Sequence, residues 1–382
     1  MGNQPAKGGE SDVSRHTHQP TATQQKISNF LSPDDCIETL PHSFIQFCRD
    51  TMQNLRGNTL YTEPMFAPDF GYTQFDGADG PVLDICKPDE YCAVMLDATA
   101  TERPVAAIDT STIKLGELED GVLCALRGAV VTLEENRYRY LRYGPFVFSL
   151  GYNSPLLSRS VQNLGLPPFS GEPNIDSLLK RVRNVLERWL QFNISSSVRH
   201  AFLLIDGSLT AGTPDNPCKE LERILEAARR SGSSMIAISK KTKLRIQNEA
   251  LTGLLEHESN PCLLNVDSEV TEQFPPYPVR FLGRVFVGKL ARFGFPFRID
   301  IDREISPDGA ISEVSQLAGT DIVDQGYPET LRMAHILATF TGTDVLAMQA
   351  FAEARFGLQM VPKLALRHSL FGPFGTSWEA LH

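Results

Sequence analysis

Two apolar runs that each lead into a carboxylate constrain this chain more than any other feature of its sequence. Residues 201–206 read AFLLID, residues 104–109 read PVAAID, and small residues follow both runs. A short apolar run bounded by a turn signal predicts a strand that is buried on both faces of a sheet. A carboxylate at the end of such a strand is costly unless it is paired, and a metal ion is a common partner. We therefore predict that Asp109 and Asp206 end two buried strands and share one polar site.

The patterns around these two runs predict an α/β fold. An apolar run at 122–133 follows the first strand, and residues 137–150, where basic and aromatic residues alternate before an apolar end, follow in turn. Their short connections predict an antiparallel meander of three strands. A helical pattern begins after Pro173 and precedes the second of the two runs. The strand, helix and strand between residues 201 and 239 then predict a parallel βαβ unit.

Patterns at both ends of the chain complete this outline. Residues 284–290 and 295–301 predict a late hairpin, and the chain beyond it is helical by its apolar spacing. Residues 33–60 also have helical spacing, with Ser32 or Asp34 as a candidate cap.

Composition divides the chain into three regions. Residues 1–27 contain almost no large apolar side chains and predict a disordered tail. We interpret residues 28–100, which mix one helical pattern with several proline, glycine and aspartate residues, as an N-terminal accessory region. Residues 101–382 then form the main domain.

Charge and cysteine content exclude several classes of protein. The formal net charge is −10, which is not that of a basic nucleic-acid coat protein, although a local basic groove around a metal could still bind nucleic acid. The seven scattered cysteines form no metal-binding pattern and fit reduced thiols better than a disulfide framework. No apolar run is long enough for a membrane helix, and the N-terminus lacks the apolar core of a signal peptide. We therefore expect a cytoplasmic protein with no membrane partner.

The order of the acidic candidates matches an RNase H-like core, a mixed sheet with flanking helices. Asp109 lies on the first strand, Glu187 on the helix after the meander, and Asp206 on the fourth strand. In such a core these three carboxylates converge on divalent metal, because Mg²⁺ and Mn²⁺ prefer oxygen ligands, and two ions can then assist phosphodiester cleavage. By its pattern alone, Glu187 fits a solvated surface residue equally well. Glu134 and Glu135, at the end of the second strand, are alternative candidates.

Two residues near the end of the chain could complete this site. His335 lies in an apolar helical stretch, and Tyr327 lies eight residues before it. A lone histidine in such a stretch fits a partly buried structural side chain as well as a ligand. The tyrosine, taken by itself, fits a core or turn residue.

Two basic segments are candidates for contact with nucleic acid. Arg139 lies in the run RYRYLRY at 137–143, and Lys240 and Lys243 lie in the cluster KKTKLR at 240–245. The first segment fits either a solvated strand face or a surface that stacks bases and contacts the phosphates of single-stranded DNA.

These motifs, taken in order, resemble the NurA nuclease family over residues 100–375. The matching elements are AIDTST with Asp109, LLIDGSL with Asp206, AISKKTK at 237–243, FPFRIDI with Arg298, and GYP with Tyr327 followed by His335. No single one of these motifs is specific, and the resemblance depends on the ordered set and its spacing.

The resemblance implies both a fold and an activity. Members of the family have an RNase H-like fold and are Mn²⁺-dependent nucleases, and Mg²⁺ is a possible substitute. They degrade DNA from 5′ ends and cut single strands, and they act with a HerA-type hexameric translocase when DNA ends are processed for repair. The resemblance also implies a homodimer docked on that partner.

The resemblance further implies a role for each matching residue. Asp109 and Asp206 would be the principal metal ligands, with Glu187 as the helix carboxylate. His335 would be a late ligand or a proton-transfer group, and Tyr327 would orient a phosphate or the attacking water. Lys240 and Arg298 would contact phosphate, and we add Arg139 and Lys243 as DNA-binding candidates.

Two other readings of the sequence stay open, and a departure from the family pattern supports one of them, a catalytically degenerate scaffold. Thr110 follows Asp109 where the family often has glycine, and a β-branched residue disfavours a backbone with positive φ. The sequences IDTST and IDGSL also resemble the phosphate loops of actin-like or sugar-kinase-like ATPases. A catalytically degenerate scaffold that binds only DNA or the translocase is the third reading.

Overall fold

The computed structural model describes most of the chain between residues 40 and 363. The described residues are 40–62, 83–85, 92–152, 158, 162, 164, 174–213, 216–242, 244–246, 249–273 and 279–363. The predicted tail at 1–27 and both candidate helix caps, Ser32 and Asp34, lie outside these residues.

The described part of the chain contains both helices and strands. The helices are α1 (His42–Gln53), α2 (Ile175–Ser197), α3 (Cys218–Arg230), α4 (Asp267–Gln273), α5 (Pro307–Thr320), α6 (Glu329–Ala338) and α7 (Gly342–Phe356), with a 3₁₀ turn at Leu251–Leu255. The strands are β1 (Thr59–Thr62), β2 (Leu83–Ile85), β3 (Val94–Met95), β4 (Val105–Leu118), β5 (Gly121–Glu134), β6 (Arg137–Gly151), β7 (Phe202–Asp206), β8 (Thr210–Ala211), β9 (Ser234–Ser239), β10 (Leu244–Ile246), β11 (Glu249–Ala250), β12 (Cys262–Asn265), β13 (Arg280–Phe281), β14 (Gly283–Lys289), β15 (Phe297–Asp302), β16 (Val323–Asp324), β17 (Tyr327–Pro328) and β18 (Gln359–Pro362). None of these helices combines the length and the apolar character needed to cross a lipid bilayer.

Eleven of the described strands form one mixed sheet. Strands β4, β5 and β6 are the predicted antiparallel meander, and Glu135 and Asn136 make its second turn with positive φ. Strand β7 pairs in parallel with β4, and β9 pairs in parallel with β7. The chain between β7 and β9 contains helix α3. The hairpin β14–β15 adds to β9 in the antiparallel sense. The prediction of a mixed α/β sheet with flanking helices is therefore confirmed.

Strand β4 changes partners along one of its edges. Its first residues pair with β7 as far as Ile108, opposite Ile205. Further along, the same strand pairs with β1 at Glu117, opposite Tyr61. Asp109 therefore lies just beyond the last β4–β7 pair, where this edge of β4 is no longer paired with β7. The prediction that the first strand ends at Asp109 was wrong, because β4 continues through Leu118.

The sheet buries apolar side chains on both faces, as the apolar runs predicted. On one face, Ile108 of β4 packs in a cluster with residues of α2 and α3. On the other face, Ala107 packs in a second cluster with residues of α5 and α6. Successive side chains of a strand point to opposite faces, so this alternation assigns every residue of β4 and β7 to one face or the other.

The helix predicted at 33–60 is shorter than expected where the structure describes it. It begins after Pro41 and ends at Gln53. Gly57 has a φ of 77°, a left-handed conformation that does not continue a right-handed helix. The next residues, Thr59–Thr62, form β1 instead and pair in parallel with β18.

Arg127 ties the end of α6 to the start of α7. Its guanidinium donates to the Thr339 carbonyl at 3.2 Å and to both carboxylate oxygens of Asp344 at 3.0 and 3.2 Å, and it stacks over the Phe340 ring. Only 4% of Arg127 is exposed. The hydrogen bond from Arg127 is the main cause that lowers the pKa of Asp344 from 3.8 to about 2.

Replacing Arg127 with alanine should lower the free energy of unfolding by about 2 kcal/mol at neutral pH, because three hydrogen bonds and a buried stem are lost. A carboxylate with a lowered folded-state pKa stabilises the fold above its unfolded pKa and loses that contribution as the pH falls through its folded pKa. The difference between wild type and variant should therefore shrink between pH 4 and pH 2, in urea titrations at several pH values. Arg137→Ala, at an exposed arginine, is the matched control, and an equal loss there would contradict the assignment.

Candidate active site

Asp109 and Asp206 lie side by side on the same face of the sheet. Strands β4 and β7 run parallel, with Ile108 opposite Ile205, so the two aspartates follow in register. Asp109 lies two residues after Ala107 and therefore points to the same face, where Ala107 belongs to the apolar cluster that contains residues of α6. Both side chains therefore belong to the α6 face, and the predicted shared polar site is present.

His335 reaches this pair from helix α6. Its Nδ1 lies 2.7 Å from Oδ2 of Asp109. One ligand atom from each of Asp109, Asp206 and His335 lies within 4.8 Å of the others. The other oxygen of Asp109, Oδ1, accepts the backbone N–H of Thr110 at 2.8 Å, which fixes the orientation of the carboxylate.

Lys240 lies against the second aspartate. Its Nζ is 2.8 Å from Oδ2 of Asp206, and it follows β9 at the same end of the sheet. Burial, and then the charge of Asp109, raise the pKa of Asp206, and the ammonium of Lys240 partly offsets both effects. The site thus holds two acids whose mutual repulsion a cation relieves.

The turn after Asp206 is held by hydrogen bonds from neighbouring strands. Gly207 has a φ of 120°, which a residue with a side chain rarely adopts, and its carbonyl accepts the hydroxyl of Ser239 at 2.5 Å. The Leu209 N–H donates to Oδ2 of Asp300 at 3.0 Å. These contacts fix the position of Asp206 at the end of β7.

Tyr327 is buried beside the same charges. Its ring packs edge to face on Phe297, with centroids 5.3 Å apart, and Nζ of Lys240 lies 5.3 Å from its centroid. Only 8% of Tyr327 is exposed, and its hydroxyl is buried without a hydrogen-bond partner among the described residues. Burial, and then the charges of Asp206 and Asp109, raise the pKa of this tyrosine.

Glu187 does not join the three-residue cluster. Its Oε2 accepts the Thr110 hydroxyl at 3.1 Å, and its Oε1 accepts the Gln191 amide at 3.0 Å. Because Thr110 alternates with Asp109 along β4, this contact lies on the α2 face of the sheet. Glu187 thus touches the residue next to Asp109 rather than the gathered ligand atoms.

Thr110 occupies an ordinary strand position. It pairs with Gly128 on β5, and it is absent from the described non-glycine residues with positive φ. The β-branched side chain of Thr110 distorts no loop, because Thr110 lies inside a continuous strand. For the same reason, IDTST is not the phosphate loop of an actin-like ATPase.

Two of the remaining DNA-binding candidates, Arg298 and Arg139, lie among the described residues, and each is near a carboxylate of its own. Arg298 is buried, with its guanidinium 2.7 Å from both oxygens of Asp300 and 2.9 Å from the Thr210 hydroxyl. Arg139 is partly exposed on β6, and one of its nitrogens lies 3.9 Å from a carboxylate oxygen of Glu134. Lys243 lies outside the described residues.

Three residues that hydrogen-bond to the segments around the site were not predicted from the sequence. Ser239 lies in the motif AISKKTK but had no assigned role, and neither Asp300 nor Gln191 was a candidate. A carboxylate inside the apolar strand FRIDI was the available signal for Asp300, because a buried charge needs a partner.

The donor set of the cluster fits a hard divalent cation. Two carboxylates suit Mg²⁺ and Mn²⁺, and an imidazole suits a transition metal, so Mn²⁺ satisfies both preferences. The unpartnered hydroxyl of Tyr327 supplies a further polar atom beside the same two charges.

Fold and site together define a class, an α/β protein in which two carboxylates and a histidine gather where two parallel strands meet. The model of one family, the NurA domain, matches residues 103–340. This match covers more than half of the chain, and the chain therefore belongs to the NurA domain family.

Two solved structures are similar to this chain. The crystal structure of the NurA nuclease from Sulfolobus solfataricus superposes with a TM-score of 0.45 at 15% sequence identity, over 69% of this chain and 88% of that one. A second crystal structure of NurA gives a TM-score of 0.44 at 8% identity, over 68% of this chain and 91% of that one. No curated protein sequence matches the chain.

Proposed function

We propose that this protein is a divalent-metal-dependent DNA nuclease whose ligands are Asp109, Asp206 and His335. The observation that carries the proposal is the convergence of these side chains. They come from two strands and a helix far apart in sequence, yet their ligand atoms lie within 4.8 Å of one another on one face of the sheet. Membership of the NurA domain family supports the same reaction class.

Each residue of the site has a distinct task in phosphodiester hydrolysis. A bound divalent ion would make a water nucleophilic at neutral pH and stabilise charge on the leaving oxygen. Asp109 and Asp206 would hold that ion and His335 would complete the ligand set, with Asp109 orienting its imidazole through the contact at Nδ1. Lys240, next to Asp206, contributes positive charge toward the phosphate. The Tyr327 hydroxyl is protonated at neutral pH, and burial raises its pKa further, so it is a hydrogen-bond donor for the phosphate or the water.

The finer properties of the proposed activity follow the family resemblance. We propose Mn²⁺ as the preferred ion, with Mg²⁺ as a substitute, and 5′–3′ exonuclease and single-strand endonuclease activities on DNA. The proposed partners are a HerA-type hexameric translocase and a second copy of this chain, in DNA end resection. Arg139 and Lys243 are proposed as DNA contacts outside the site. We propose Arg298 as a residue that holds the turn at Thr210 rather than as a phosphate contact, because Asp300 already pairs with it.

We propose that Glu187 is a positioning residue rather than a ligand. Glu187→Gln should keep a hydrogen-bond acceptor for Thr110 and lower the cleavage rate by only about tenfold or less, about 1.4 kcal/mol in activation free energy. The concentration of Mn²⁺ that gives half-maximal rate should barely change. Thr110→Val, which removes the same hydrogen bond from the other side, is the matched variant. A complete loss of cleavage with Glu187→Gln would instead make this carboxylate a ligand.

A nuclease assay with purified full-length protein tests the proposed function directly. Single- and double-stranded DNA, labelled at the 5′ or the 3′ end, is incubated with Mn²⁺, with Mg²⁺ or with EDTA, with and without a HerA-type partner. We expect cleavage that requires the metal, and the two labels report the polarity of degradation. DNA binding without cleavage under any of these conditions would favour the degenerate scaffold instead.

A further inference from the structure

An exposed aromatic loop lies beside the candidate active site. The loop between β14 and β15 reads Ala-Arg-Phe-Gly-Phe-Pro at residues 291–296. Phe293 is 74% exposed and Phe295 is 63% exposed, the two highest values among the large apolar side chains that the structure describes as exposed. Two such side chains within three residues cost solvation free energy unless something covers them.

The backbone of this loop is held in place although its side chains are exposed. The Phe293 N–H donates to the Ser259 carbonyl at 3.0 Å, and the Phe295 N–H donates to the Gln325 carbonyl at 2.8 Å. Gly294 packs so closely on the turn β16–β17 that a Cβ there would lie 2.8 Å from the Gly326 nitrogen. The two rings are therefore presented from a fixed backbone, which lowers the entropic cost of binding a partner.

The same contacts connect the loop to the site. Gln325 and Gly326, on which the loop packs, directly precede Tyr327. The Tyr327 ring contacts Phe297, two residues after Phe295, and lies near the ammonium of Lys240. The loop thus lies at the end of the sheet where Lys240 meets Asp206.

A cation accompanies the aromatic rings. Arg292 is exposed, and its guanidinium carbon lies 5.0 Å from the centroid of the Phe293 ring. Exposed aromatic faces combined with positive charge are the combination that holds single-stranded nucleic acid, because bases stack on the rings while cations attract phosphates.

We infer that the loop 291–296 is a base-stacking platform for single-stranded DNA, with Phe293 and Phe295 as the stacking rings and Arg292 as a phosphate contact. The platform holds the strand whose neighbouring phosphodiester reaches Asp206 and Lys240. This inference rests on the proposed function, since it takes the substrate of that site to be DNA.

Equilibrium binding without cleavage tests the platform. Full-length protein in EDTA is titrated against a labelled oligothymidine strand, and binding is followed by fluorescence anisotropy. The double substitution Phe293→Leu and Phe295→Leu keeps apolar area but removes the aromatic faces, and it should weaken binding about tenfold. Binding to an abasic strand of the same length should change little. Phe351→Leu, at another exposed phenylalanine, is the matched control.

A second measurement does not depend on losing a contact. In Phe295→Trp, the added indole fluorescence should be quenched when oligothymidine binds, relative to wild type, and affinity should be kept. Unchanged affinity in the double leucine variant, together with no quenching, would overturn the inference and leave the loop as a contact for another protein. If wild type binds DNA through the loop but no metal supports cleavage, the platform stands and the proposed nuclease activity fails.

Discussion

Replacing Asp206 with asparagine should abolish Mn²⁺-dependent cleavage of single-stranded DNA while leaving the fold intact. The substitution removes one of two carboxylates that would hold the ion, and we expect a fall in rate of about a thousandfold or more, about 4 kcal/mol in activation free energy. The measurement is initial cleavage rate across a range of Mn²⁺ concentrations, so that weaker metal binding and slower chemistry are separated.

The same variant should not be less stable than wild type in EDTA. Burial and the charge of Asp109 raise the pKa of Asp206 in the folded protein. An acid with a raised folded-state pKa destabilises the fold above its unfolded pKa, and this destabilisation is relieved as the pH falls through the folded pKa. An uncharged asparagine removes it at neutral pH, so the melting temperature should be equal or higher. Full activity in Asp206→Asn, or in Asp109→Asn, would remove the basis for the metal assignment.

Replacing His335 with alanine should weaken Mn²⁺ binding and lower the cleavage rate by about a hundredfold at limiting metal. The imidazole is both a donor in the cluster and the neighbour of Asp109, so its loss removes one ligand and frees another to rotate. Part of the lost rate should return at high Mn²⁺, because the two aspartates remain.

Isothermal calorimetry with Mn²⁺ gives the affinity without any cleavage reaction. His257→Ala, at an exposed histidine away from the cluster, is the control and should bind the metal as wild type does. An unchanged Mn²⁺ affinity in His335→Ala would leave His335 as a proton-transfer group only.

The sequence predicted the parts of the fold whose pattern is local. Strands buried on both faces read as continuous apolar runs, so β7 and β9 and the helix between them were found close to their actual bounds. Asp206 was correctly assigned to the end of its strand. Three hydroxyl residues, Thr110, Ser111 and Thr112, follow Asp109 and resemble a turn, yet both threonines are β-branched and continue the strand.

Two kinds of feature could not be predicted from the sequence: the face of the sheet on which a side chain lies, and the pairing of strands that are far apart in the chain. The apolar spacing around Glu187 predicted its helix, but not the face of the sheet on which Glu187 lies. That side follows from Thr110, which points to the face opposite Asp109 and donates its hydroxyl to the Glu187 carboxylate there. The pairing of β1 with β18 joins segments about 300 residues apart, and no local pattern encodes it.

The pairing of β1 with β18 shows that the residues that fold together extend beyond those that the NurA domain model matches. The match ends at residue 340, before α7 and β18. Val345 and Met348 of α7 cover Ile113 and Leu115, which lie on the far half of the strand that carries Asp109. A polypeptide cut at residue 340 would retain every residue of the proposed active site but would expose this apolar surface to water. Helix α7 is therefore a structural cover for the strand that carries Asp109, and the family match alone would place the boundary of a folded fragment too early.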